Sequence, residues 1–408
     1  PGGRAAPARP HPALHGWERC GRDHCGGHPD GTPIRPFIEG AWMTKQGGRY
    51  YLQYGAPGTE FNAYANGVWV SDSPLGPFEY ADYNPVSYKP GGFVEGAGHG
   101  STFQDRHGNW WNTGTPWIGH NWRFERRIAI FPGGFTPGGQ MWFTSRFGDY
   151  PQRMPTGRVS DPESLFTGWF PLSYRAGATA SSTEGEFTPD RAVDENPRTF
   201  WVAGRDAAGE TLTLDLGGVK RVHAVQVNYA DHESGFYAER PDIPTRFRLL
   251  WSRDGQDWRV FADLSDSDRD RPNAYIEGET SVDARFIHYE HGEVAAANLA
   301  ISDLRVFGTS DEPAPQTPTF RVRRTDPRDA AVTVEPVPGA LGYNIRWGVA
   351  PDRLFHTYQI YADALADRDH RLDVRALTAG VDYWFAVEAF SPGGVSELSE
   401  VVAVPAKD

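Results

Sequence analysis

From residue 36 to about residue 170, short runs of alternating apolar and polar residues recur between clusters of Gly, Pro, Asn and Asp. A period of two with such punctuation predicts short β-strands. One set of strands is expected at 41–45, 50–54, 67–70 and 78–80, and a second at 100–104, 110–113, 127–131 and 140–144. Turns are expected at Pro57-Gly58, Pro74-Leu75-Gly76-Pro77 and Pro132-Gly133-Gly134. Four strands followed by four more, at about 45 residues per set, have the dimension of β-propeller blades.

Two blades cannot close a ring, because a propeller needs about four to eight, and the open edges would leave backbone groups unpaired. We therefore expect that about three blades preceded residue 36 in the parent protein. Residues 1–35 are rich in Gly, Pro, Arg and His without a sustained period. They read as an irregular segment from a truncated N-terminal part. Because the chain opens on Pro1, without an initiator Met or a signal peptide, a preceding segment is expected to have been cut away.

Beyond residue 171 the pattern changes. Alternation at 211–216 marks a half-buried strand, and the Asp254-Gly255 pair marks a hairpin turn. Residues 309–317 include Asp311-Glu312-Pro313-Ala314-Pro315-Gln316-Thr317, a semi-rigid spacer. Residues 318–406 read as a further short sandwich with Trp347 on one strand. The expected class is all-β, a partial β-propeller over 36–171 followed by sandwiches over 172–308 and 318–406.

Composition narrows the chemistry. Of 408 residues, 13% are aromatic and 14 are Trp, which leaves flat faces to spare for ligands. The net charge of −13 argues against nucleic acid, whose phosphates require clustered Lys and Arg. No apolar run approaches the roughly 20 residues of a membrane helix. Cys20 and Cys25 lie beside His24 and His28 without paired Cys-x-x-Cys spacing, leaving zinc, a local disulfide and inert thiols all open.

The segment Phe37-Ile38-Glu39-Gly40-Ala41-Trp42-Met43-Thr44-Lys45, followed by Gly48-Arg49-Tyr50-Tyr51-Leu52, places a carboxylate at a strand mouth beside aromatic residues. It resembles the general-acid segment of family 43 glycoside hydrolases, five-bladed propellers in which Glu-Gly/Ala-Pro-x-x-x-Lys precedes Gly-x-Tyr-Tyr-Leu. Ala41 departs from that pattern, where the family usually has Pro. The resemblance implies a Glu39 general acid with a raised pKa, to which burial beside Trp42 and Tyr54 would contribute.

Inversion needs a second carboxylate about 6.5–9.5 Å away. The family's base Asp and its acid-tuning Asp have no counterpart here, since Asp23 and Asp30 match no strand motif. The chain alone is therefore expected to be inactive. Gly98-His99-Gly100-Ser101 resembles the family's His-Gly-Ser, implying a channel-facing imidazole, either at substrate or near a cation through water. A late Arg in the family reaches the substrate. Arg146 is favoured for that role over Arg126 and Arg127, and Trp42 joins Glu39, His99 and Arg146 in the expected site. Trp110, Trp111, Trp117 and Trp122 are candidates for sugar stacking, with packing between blades as the alternative.

The order of segments from Ala176 to Gly308 resembles discoidin, or F5/8 type C, domains, which include carbohydrate-binding modules of family 32. That resemblance implies a structural calcium near Asp194 and Thr199, with a simple capped turn as the alternative. His232, Tyr237 and Arg240 are candidates for a sugar platform. The stretch from Leu377 to Val387 resembles the tyrosine corner of a fibronectin type III domain, expected to be a spacer without catalytic role.

Together these imply a secreted or periplasmic glycoside hydrolase, exo-acting on arabinofuranosyl, galactofuranosyl or xylosyl units of a plant or microbial polysaccharide or oligosaccharide. It would be monomeric and use no cofactor for chemistry. The alternative is a non-catalytic extracellular carbohydrate-binding or adhesion protein. An intracellular interaction propeller fits the appended modules poorly.

Overall fold

A computed structural model describes residues 37–407 apart from 60, 117–125, 206, 231, 234–243, 295–297 and 376. Cys20, Cys25, His24, His28, Asp23, Asp30, Trp117, Trp122, Tyr237 and Arg240 lie outside the described residues.

Two blade-like sheets come first. The first contains β1 (Glu39–Gln46), β2 (Arg49–Ala56), β3 (Ala65–Ser71) and β4 (Glu79–Tyr80) in that order, with β5 (Ser87–Tyr88) also paired to β3. The second runs β6 (Thr102–Gln104), β7 (Trp110–Gly114), β8 (Ala129–Phe135) and β9 (Met141–Phe143). All eight expected strands are present within a few residues.

The exception to the expected turns is Pro132-Gly133-Gly134, which lies inside β8. Gly133 pairs with both Trp110 and Phe143, and a Cβ on it would lie 2.1 Å from Trp142 O, so glycine serves close strand approach here. The chain turns only afterwards, where Gly139 N donates to Thr136 O.

An apolar cluster that includes Tyr51, Val68, Val70, Phe131, Met141 and Phe143 joins the two sheets. Beside it the buried side chains of Gln53, Asn66, Thr102 and Asn112 hydrogen-bond across the same gap. Such groups tolerate burial where they satisfy one another, and Gln53 Nε2 alone of their amide nitrogens lacks a partner among the described residues.

The next sheet has eight strands. They are β10 (Phe170–Pro171), β11 (Gly177–Ala180), β12 (Trp201–Val202), β13 (Thr211–Tyr229), β14 (Arg246–Ser252), β15 (Arg259–Asp263), β16 (Asn273–Glu293) and β17 (Ala300–Thr309). The order is β10-β17-β13-β16-β14-β15, with β11 on β13 and β12 on β17. Register shifts in β13 near Asp215–Lys220 and Val222–Ala224 bend the long strands over one core. Leu212, Leu214, Val225 and Val227 of β13 meet Trp201 and Tyr289 there. The expected Asp254-Gly255 hairpin connects β14 to β15.

The last strands are β18 (Phe320–Asp326), β19 (Asp329–Val334), β20 (Gly342–Gly348), β21 (His356–Tyr361), β22 (Arg371–Val374), β23 (Tyr383–Ser391), β24 (Gly394–Val395) and β25 (Val402–Val404). One five-residue helix, α1 (Ala362–Ala366), follows β21. They make a three-stranded sheet, β18-β19-β22, and a five-stranded one, β21-β20-β23-β24 with β25 on β23. Trp347 is fully buried between them, and Tyr383 Oη accepts a hydrogen bond from Thr378 N at 3.0 Å.

This C-terminal unit is not a detached spacer. All six residues of β21 are buried, because the first blade covers the face a sandwich would leave to water. Tyr54, Ala56, Ala65 and Tyr88 share one apolar cluster with Trp347, Tyr358 and Ile360. His356 Nε2 lies 2.6 Å from Pro85 O, and Trp142 stacks on Phe355 at 4.0 Å.

Candidate functional site

Glu39 opens β1 opposite Gly55, and a register shift separates it from Trp42. Such a bulge re-aims the side chains that precede it. One carboxylate oxygen, Oε1, accepts a hydrogen bond from Tyr64 Oη at 3.2 Å and lies 3.5 Å from His99 Nδ1. Glu39 and His99 remain about two-fifths exposed, at 41% and 43%, so both face an open mouth. Tyr64 is completely buried. Burial, followed by the Glu39 charge and hydrogen bond, pushes its phenol well above the usual range, so it stays protonated and donates. Glycine at 98 lets this ring lie against the backbone, since a Cβ there would fall 2.7 Å from the Tyr64 ring.

Glu39 and His99 are thus brought together, and Tyr64, absent from the sequence expectations, joins them. Nothing in the local sequence marks Tyr64, because its contacts come from β1 and from the segment before β6. Arg126 is the arginine near this group. Its charge opposes the upward shift of Tyr64, and its Nη1 lies 3.4 Å from Thr115 Oγ1.

Three placements differ from expectation. The indole Nε1 of Trp42 donates to Thr102 O at 2.9 Å, tying the first blade to the second. Tyr54 faces the apolar cluster shared with the C-terminal unit. Arg146 is held away from the Glu39 mouth by Glu388, at 2.5 and 3.0 Å, with Glu163 at 3.6 Å. A guanidinium so paired and buried serves the seam between blade and C-terminal unit.

In the middle unit, Asp194 Oδ2 accepts from Thr199 Oγ1 at 2.6 Å and Oδ1 from Asn196 N at 3.0 Å. Burial raises its carboxyl above the usual range. Behind this turn lies Asp303, a second group that local sequence did not signal. It is 1% exposed, and its oxygens accept no well-formed hydrogen bond, since Ser302 Oγ donates instead to Asn228 O at 3.3 Å. Burial first, then the Glu195 charge, pushes Asp303 well upward. Asp303, whose carboxyl also feels the Asp194 charge, adds to Asp194 and Thr199 only oxygen donors, the kind a hard cation takes. Among the described residues, no group of three or more His, Cys, Asp or Glu side chains is placed to hold a metal ion.

His232 is nearly buried, its ring 4.7 Å from Phe187 and 5.4 Å from Phe200, with Glu184 Oε1 3.8 Å from Nε2.

A solved glycoside hydrolase is similar at 20% identity over 67% of this chain and 61% of its own, with a TM-score of 0.35. This chain therefore spans about three-fifths of that enzyme. Chitosan-binding module 1 of a chitosanase/glucanase from Paenibacillus sp. IK-5 shares 19% identity, covering 34% of this chain and 99% of the module, with a TM-score of 0.29. The family 32 carbohydrate-binding module of Clostridium perfringens NanJ, solved with galactose, shares 20% over 34% and 98%, also with a TM-score of 0.29. Comparison with curated proteins found no match. The family model of glycosyl hydrolases family 43 matches residues 31–116 and that of the F5/8 type C domain matches residues 177–296, so one segment of the chain is similar to family 43 glycosyl hydrolases and a later one to F5/8 type C domains.

Proposed function

We propose that the chain is part of an extracellular glycoside hydrolase in which Glu39 is the general acid. The observation that carries this reading is the Glu39–Tyr64–His99 group, which lies wholly inside the segment matched by the family 43 model. Tyr64 holds one carboxylate oxygen by its hydrogen bond. Held there, the carboxyl can give its proton to the leaving glycosidic oxygen at the open mouth. His99 adds a polar edge for substrate hydroxyls, and Arg126 adds a cation beside Tyr64. Catalysis by inversion further requires a base carboxylate on the opposite side of the sugar. The substrates we propose are terminal arabinofuranosyl, galactofuranosyl or xylosyl units.

The F5/8 type C unit would hold the protein on its glycan. We assign Asp194, Thr199 and Asp303 as oxygen donors for a structural calcium, which would neutralise the buried carboxylates and leave the chemistry to Glu39. Residues 318–406 fit a fibronectin type III sandwich, supported by the Tyr383–Thr378 corner.

The test is a screen of the full-length protein against aryl furanosides and aryl xylosides. Hydrolysis is expected, and Glu39→Gln should lower it by about 10²–10⁴-fold, the usual contribution of a positioned acid. Full activity in that variant would remove Glu39 as the acid. Glycan binding with no hydrolysis by the full-length protein would favour a non-catalytic binding or adhesion role.

A further inference from the structure

The glycine pair inside β8 opens a second site. Gly133 is required by the strand approach described above. Gly134 is not: a Cβ there would meet only Trp110 Cδ1, at an ordinary 3.8 Å, and its backbone is not left-handed. What its bare backbone does is floor a cleft of about 220 Å³ lined by Trp110, Phe135 and Trp142 and by Asn109, Arg158 and Ser160. A glycine inside a strand that packing does not demand marks a place where something approaches the backbone.

The walls are rigid. Trp142 is fixed by its stack on Phe355, inclined only 8°, and Trp110 is braced edge-on by Phe135 at 5.0 Å. Asn109 is held by Val159 N and by Asp105, so it shapes the wall. Arg158 is exposed and forms no ion pair among the described residues, leaving its planar fork of donors available. Past Trp142 a second hollow of about 440 Å³, lined by Asp161, Asp352 and Leu398 among others, continues the surface across the seam. Gln46 at the end of β1 borders the cleft while Glu39 begins that strand, so at about 3.3 Å per residue the two sites lie roughly 23 Å apart.

Resting on the carbohydrate reading above, we propose that this cleft binds an internal stretch of a neutral glycan chain. Fixed indoles would face sugar rings, the Gly134 floor would admit them, and Arg158 would reach their hydroxyls. A phosphate-rich ligand fits poorly, because the hollow beyond Trp142 carries Asp161 and Asp352 while its Arg346 is already paired with Glu163 at 2.7 Å.

The experiment uses the full chain with xylohexaose and arabinohexaose as probes. Binding is read at the indole N–H resonances of Trp110 and Trp142, so that sugar held by the F5/8 type C unit is not counted. At least one probe should shift both resonances, and Gly134→Val and Arg158→Ala should each weaken binding by about tenfold. No shift with either probe, or an unchanged Kd in both variants, overturns the proposal. Trp142→Ala alone would not serve, since it also disturbs the seam. An active hydrolase whose oligosaccharide Kd ignores Gly134 sinks the cleft alone. An inactive full-length protein whose Kd depends on Gly134 sinks the hydrolase reading alone.

Discussion

At the scale of single residues, the chemistry of this chain depends on groups whose environments set their protonation. His291 of β16 is a clear case. Its imidazole is nearly buried, with Nδ1 3.0 Å from Tyr289 Oη. Burial lowers its pKa to about 4, against the opposing pull of Glu210 and Glu293. The unfolded imidazole titrates near 6.5. Because the folded value is depressed, the associated stability is fully present above about pH 6.5 and is lost as pH falls through about 4. At 1.36 kcal/mol per pH unit, the loss is on the order of 3 kcal/mol. Urea unfolding at pH 7 and pH 4.5 should show a smaller acid loss in His291→Gln than in the wild type. Equal losses would mean that other groups dominate. Glu39 and His99 were legible in the sequence because each sits in a short local motif. Tyr64 and Asp303 were not, since what makes them matter is contact with residues distant along the chain.

At the scale of elements, local periodicity performed well for strands exposed on one face and less well where both faces are covered. The eight blade strands followed from alternation and turn residues. Pro132-Gly133-Gly134 carries turn chemistry yet lies within β8, because the approach of Trp142 O selects glycine more strongly than the turn does. In β21, His356-Thr357-Tyr358-Gln359-Ile360-Tyr361 keeps polar residues on a face that is nevertheless buried. Two of them find partners in the preceding segment: His356 Nε2 lies 2.6 Å from Pro85 O, and Gln359 Nε2 donates to Tyr150 Oη at 3.0 Å. Ile360→Ala should cost about 2–5 kcal/mol, as for other buried aliphatic truncations. Its denaturation should loosen the blade and the C-terminal unit together. A change confined to the C-terminal strands would argue that β21 contributes little to the blade.

At the scale of the whole molecule, the sequence suggested modules joined by a Pro-rich spacer, whereas the structure clamps them together. Arg305 of β17 grips Glu195 with two bonds of 2.7 and 2.8 Å and donates to Asp149 O at 2.9 Å. It also lies 4.0 Å over Phe93. Tyr361 Oη donates to the same Glu195, and Lys89 pairs with Asp149 at 3.0 Å. Blade, middle unit and C-terminal unit all contribute to this buried group. Charges so far apart in sequence have no local signature, which is why the clamp could not be read from the chain. Arg305→Met should cost about 3–5 kcal/mol, because it strands a buried carboxylate. Tryptophan fluorescence and circular dichroism should report one coincident unfolding transition in the wild type; separate transitions would show that the units are only loosely joined.

The cover over the first blade also has a cost in time. His356 reaches Pro85 across 271 residues, so at roughly 5–20 residues per second of synthesis the ribosome delivers the cover about 15–55 s after the surface it must protect. Until then Tyr54 and Tyr88 stand bare in the nascent chain. The protein's yield in a cell should accordingly depend on chaperones that shelter half-made chains, and a ribosome stalled before residue 356 should release a sticky intermediate rather than a smaller folded protein.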